Sequence, residues 1–112
     1  MAEETNELKV SVVEPACGLK ITSVNVYPFT NRREHPYALA LAEVILNDAL
    51  YIRGMKVMEG EMGRFVAYPP DPYYKGEDYR SAVMPIRRDL REYIEAIVLA
   101  HYDFTLKKLG KV

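Results

Sequence analysis

The 112 residues carry 49% hydrophobic and 28% charged side chains, which suits one compact domain with enough apolar material for a core and leaves no room for a second. Apolar runs fall short of the roughly 20 residues that span a bilayer, and Met1-Ala2-Glu3-Glu4 is acidic where a secretory signal is basic and then apolar, so a cytoplasmic location without membrane contact is expected. The net charge of −1 is unevenly spread: residues 1–19 hold four of the 16 acidic side chains and one of the 15 basic ones, leaving the rest mildly basic and open to an anionic partner without demanding one.

In chain order, residues 1–19 read as an extension with at most one edge strand around Val10, Val12 and Val13, and residues 20–112 as a single domain. From Lys20 to Phe29 the pattern alternates, with Val24, Val26 and Pro28 on one side and Asn25, Tyr27 and Phe29 on the other, as in a half-buried strand. Pro28 restricts that strand to an edge or to its own end. A polar loop from Thr30 to Pro36, with Arg32, Arg33 and His35, precedes a second strand from Tyr37 to Leu46, closed by the turn signal Asn47-Asp48.

Ala49 to Glu59 starts with Leu50 and Ile52 in phase, then continues with Met55 and Val57 on the opposite phase. A bulge at Gly54 restores both pairs to one face. Glu59-Gly60-Glu61-Met62-Gly63 is a turn, Arg64 to Tyr68 the next strand, and Asp71 to Tyr79 an irregular loop with tyrosines near the surface. Ser81 to Met84 is a candidate short strand.

From about Arg88 to Leu109, Leu90, Ile94, Ile97, His101 and Phe104 recur every three or four residues on one face of a helix, with Gly110 as its stop and Lys107 and Lys108 favourably placed at its C-terminal end. Leu99 points roughly opposite to Leu90 and Ile97. Burying it would contribute roughly 1.5–3 kcal/mol, and a second subunit is the obvious cover. The N-terminal extension is another, and isolated exposed leucines are also ordinary.

The catalytic inventory is thin. Cys17 stands alone, and neither histidine shares a motif with a nucleophile or a metal-ligand spacing; His101 on the apolar stripe reads as a packed histidine. Gly60 and Gly63 lack the Gly-Lys-Ser/Thr ending of a phosphate loop. No catalytic residue, metal or cofactor is nominated, and an enzyme is the minority reading.

The basic residues are more suggestive. Arg87, Arg88 and Arg91 cluster at the start of the long helix, where the dipole disfavours cations, and unpaired helix N–H groups with guanidinium forks make a good phosphate site. Arg80 extends that patch, while Arg53 and Lys56 on the third strand and Arg32 and Arg33 in the loop before the second add to a strip for DNA or RNA. Tyr73, Tyr74 and Tyr79 either stack on unpaired bases or cover a loop or interface. Against this stands an ordinary solvated face, in which Asp89, Glu92 and Glu95 neutralise the arginines.

Several segments in order carry a family resemblance: Ile21-Thr22-Ser23-Val24-Asn25-Val26; Asn47 through Gly60, reading NDALYIRGMKVMEG; Gly63-Arg64-Phe65-Val66-Ala67-Tyr68-Pro69; and Tyr79-Arg80 with Met84-Pro85-Ile86 before the helix. Over roughly Ile21 to Tyr102 the chain resembles the stage V sporulation protein G (SpoVG) family. The resemblance implies an α+β homodimer built on an antiparallel sheet of four to five strands with a long C-terminal helix. It also implies a bacterial regulator of septation, sporulation and gene control that binds DNA or RNA, with Arg87, Arg88 and Arg91 at the helix start implicated in the contact.

The N-terminal extension, the loops Thr30 to Pro36 and Asp71 to Gly76, and the Arg-Arg-Asp-Leu-Arg helix start depart from the family pattern. The competing expectation is a protein-interaction module acting on cell-division or sporulation proteins through the apolar helix side and the tyrosine loop.

Overall fold

The computed structural model describes residues 16–30 and 37–110. Among these residues four strands, β1 (Ile21–Pro28), β2 (Ala38–Leu46), β3 (Leu50–Gly60) and β4 (Gly63–Ala67), are followed by one long helix, α1 (Arg88–Lys108). The strands form an antiparallel sheet in sequence order, each paired with its neighbour in the chain. The expected edge strand at Val10 to Val13 and the loop residues Arg32, Arg33 and His35 lie outside the described residues.

Three irregularities bring the apolar residues to one face. On β1, Ile21 and Ser23 face the consecutive residues Leu46 and Ile45, so Thr22 is the extra residue and Ile21 joins Val24 and Val26 in the core. The Thr22 hydroxyl donates to the Ile45 carbonyl at 3.2 Å and accepts from the Asp48 N–H at 3.0 Å. A second shift, at Leu39 of β2, lets both Leu39 and Ala40 be buried.

The third is the bulge anticipated at Gly54. Ala42 pairs with Met55 and Val44 with Ile52, so three steps on β3 oppose two on β2, and Gly54 takes φ +88°. Ile52, Met55 and Val57 then line the core side, although Leu50 remains exposed. Pro28 ends β1 on the sheet's edge, as a residue without an N–H should.

At the β2–β3 turn, Asn47 and Asp48 both have positive φ, and the Asn47 side chain ties the turn to the preceding segment. Its Oδ1 accepts from the Lys20 N–H at 2.8 Å and its amide donates to the Gly18 carbonyl at 3.3 Å.

The short strand expected over Ser81 to Met84 is reduced to a single bridge between Pro70 and Ser81. The Ala82 N–H donates to Pro69 and the Asp71 N–H to Arg80, but Pro69, Pro70 and Pro72 have no N–H to return, so no ladder grows.

Helix α1 lies across one face of the sheet and packs against β1, β3 and β4. Ile94, Ile97 and His101 of the anticipated stripe are buried, Leu90 and Phe104 partly so, and Tyr93, Val98 and Tyr102 widen the buried side. The Tyr93 hydroxyl accepts the Ile21 N–H at 2.7 Å, pinning the helix to the β1 bulge. Leu99 is partly buried and packs on the same core. Gly110, at φ +73°, donates its N–H to the Lys107 carbonyl and ends the helix where expected.

Candidate nucleic-acid interface

The helix start follows a connector whose only buried residue between Ala82 and Asp89 is Pro85. Arg87 is the extended N-cap residue and offers no side-chain cap, so the first turn depends on Asp89, whose Oδ1 accepts the Leu90 N–H at 2.9 Å. Arg87 grips the same carboxylate through Nε at 3.1 Å and Nη2 at 2.9 Å. That fork lowers the Asp89 pKa and raises that of Arg87.

Arg88 pairs with Glu92 one turn on, Nε to Oε2 at 3.0 Å. Glu95, the third carboxylate expected to offset the arginines, turns instead toward β4 and accepts the Val66 N–H at 3.2 Å. Arg91 therefore has no carboxylate in ion-pair range among the described residues, and all three arginines are exposed. Of the carboxylates expected to offset the arginines, Asp89 reaches Arg87 and Glu92 reaches Arg88, and none reaches Arg91.

Next to Arg91 and Glu95 lies Tyr68, whose hydroxyl is enclosed and has no hydrogen-bond partner among the described residues. Burial, reinforced by the Glu95 carboxylate and opposed by Arg91, pushes its pKa up to about 12.

Arg80 folds back on its own loop, with its guanidinium 5.6 Å from the Tyr74 ring centre and 3.9 Å from the Asp71 carboxylate. The Tyr74 hydroxyl donates to Asp78 and the Tyr79 hydroxyl to the Tyr68 carbonyl, so these two tyrosines fasten the loop. Tyr73 is 87% exposed and keeps its ring open.

Arg53 and Lys56 are also exposed, but they alternate with Ile52, Met55 and Val57 and so fall on the sheet face away from α1. The structure thus groups Arg87, Arg88 and Arg91 at the helix start, with Arg80 on the loop before them, and sets Arg53 and Lys56 on a different surface. Helical and strand spacing could have separated the two groups in advance.

Arg64 is not among the residues that the sequence singles out, and its Nη1 meets the Asp103 carboxylate at 2.5 Å with the guanidinium over the Tyr102 ring. It ties β4 to α1. No helix among the described residues is long and apolar enough to cross a membrane.

The SpoVG family profile matches residues 19–104, which takes in the sheet and nearly all of α1. Among curated relatives, "Putative septation protein SpoVG" of Anaeromyxobacter sp. (strain K) is 33% identical over 92 residues, covering 82% of this chain and 86% of the relative. The protein of the same name in Bdellovibrio bacteriovorus (strain HD100) is 29% identical over 93 residues, 83% of this chain and 82% of the relative. That of Staphylococcus aureus (strain JH9) is 38% identical over 66 residues, 59% and 65% of the two chains. With the resembling segments lying in order along the sheet and the connector to α1, the chain belongs to the SpoVG family.

Proposed function

We propose that this chain is a septation-linked regulator of the SpoVG type that binds DNA or RNA, as a homodimer, through phosphate contacts at the start of α1. As a family member it is a regulatory protein and not an enzyme. The observation that carries the nucleic-acid reading is Arg91, an exposed cation without a carboxylate partner among the described residues, in the first turn of a helix that also begins with the exposed Arg87 and Arg88. A phosphate competing for Arg87 and Arg88 meets only exposed ion pairs, which are worth little in water. Arg80, Arg53 and Lys56 are secondary contacts in this reading.

The test is binding of fluorescent DNA and RNA oligonucleotides across a salt series, with parent and the triple variant Arg87→Ala/Arg88→Ala/Arg91→Ala both confirmed folded. The parent is expected to bind with a steep salt slope that flattens in the variant by about one unit for each phosphate it no longer neutralises. Equal slopes would remove the helix start from the interface.

A second reading, an interaction module for cell-division proteins, draws on the exposed apolar residues Val83, Met84 and Ile86 of the connector, the last 89% exposed. Salt-insensitive capture of a division protein, abolished by Ile86→Asp, would favour it.

A further inference from the structure

We propose that the sheet face away from α1 is a stacking platform for single-stranded nucleic acid; the proposal rests on the nucleic-acid reading above and names the strandedness of the ligand. The strand register determines what that face presents. Tyr27, Leu41, Lys56 and Ala67 form one row across all four strands, Met58 stands opposite Phe65, and Tyr51 stands opposite Ile45.

Tyr27, Tyr51 and Phe65 are 53%, 51% and 42% exposed, and among the described residues no helix covers them, since α1 packs on the other side. Each is an aromatic ring partly open at the surface. Lys56 lies two strands from Tyr27 in the same row, about 10 Å away at the usual strand spacing. Arg53 follows Tyr51 by two residues, so both cations stand among the rings.

The face has one carboxylate near its centre, Glu43, and it is already engaged: the Tyr51 hydroxyl donates to it at 3.0 Å and the Asn25 amide at 3.3 Å. Among the described residues, Arg53 and Lys56 against Glu43 give the face a net charge of +1. Rings that accept any base and cations that accept the backbone are the two elements of sequence-tolerant single-strand binding. A duplex keeps its base faces stacked internally and cannot use the rings. A second copy of the chain would have to bury Arg53, Lys56 and Glu43 against their own duplicates, which disfavours it as the occupant.

The experiment compares fluorescence anisotropy of oligothymidylate and oligouridylate of about 20 nucleotides with that of a duplex of the same length. The proteins are the parent, Tyr27→Ser/Phe65→Ser, Tyr27→Phe/Phe65→Tyr and Lys56→Ala, with circular dichroism melts as the folding control and sedimentation for assembly. The parent is expected to prefer single strands, and the serine variant to lose about tenfold or more of that affinity with duplex binding unchanged. The aromatic-preserving variant should keep the affinity, and Lys56→Ala should lower the salt slope.

Unchanged single-strand affinity in the folded serine variant would overturn the proposal, leaving the helix-start reading to its own arginine variant. A serine variant that dissociates a dimer without altering oligonucleotide affinity would also overturn it, assigning the face to a second copy. Absence of any binding by the parent would remove both readings together.

Discussion

Tyr68 has an enclosed hydroxyl with no hydrogen-bond partner among the described residues, and such a group keeps its desolvation cost. Tyr68→Phe keeps the ring and removes that cost, so urea or thermal unfolding at neutral pH should find the variant more stable by about 1 kcal/mol. The pH dependence has a definite sign. Below the ordinary phenol value of 10.0 the side chain is neutral whether folded or not; between there and about 12 only the unfolded chain ionises, so stability falls as pH rises through that window. The phenylalanine variant should show a shallower alkaline loss in melts over the same range. Asp89 follows the opposite rule. Its lowered pKa stabilises the folded chain above the ordinary carboxylate value, and the contribution disappears as pH falls through the lowered one. Arg87→Ala should return Asp89 toward its usual value in a carboxyl NMR titration, and an unmoved titration would show that the fork seen here does not hold in solution.

At the scale of elements, the sheet depends on bulges as much as on alternation. Gly54 sits at φ +88° with Pro69 3.6 Å from where a Cβ would be, an ordinary contact, so an alanine there suffers from its backbone conformation more than from crowding. Gly54→Ala should cost about 1–2 kcal/mol in chemical denaturation. This bulge was legible because Leu50 and Ile52 change phase with Met55 and Val57 across a glycine. The bulges at Thr22 and Leu39 were not: Ile21 falls outside the alternating set, and the near-continuous apolar run from Tyr37 to Leu46 has no phase to read. The helix was legible from its stripe and its glycine stop, yet its buried side proved wider than five positions because Tyr93, Val98 and Tyr102 also turn inward. The strand expected after Arg80 failed for a local reason visible in sequence, a prospective partner made of prolines.

For the whole molecule, the arginine cluster was legible from spacing, whereas its electrostatic outcome was not, since nothing in sequence tells which of three nearby carboxylates turns away. Glu95 does, toward the Val66 amide, and Arg91 is left without it. The homodimer proposal meets the position of Leu99, which already packs in part on its own chain's core. Sedimentation of the parent over a concentration series should find a dimer, and Leu99→Ser should shift it toward monomer while making the melting temperature less concentration-dependent; a parent that is monomeric throughout would remove the proposal. The order of the strands bears on a different stage of the protein's life. Because each strand pairs with the one made just before it, the sheet can zip up as the polypeptide leaves the ribosome, while the helix that roofs Met55, Val57 and Val66 is the last of these elements to be made. A product broken off before Arg88 therefore lacks the helix that covers these apolar side chains, and exposed apolar surface of that kind is what chaperones and proteases act on.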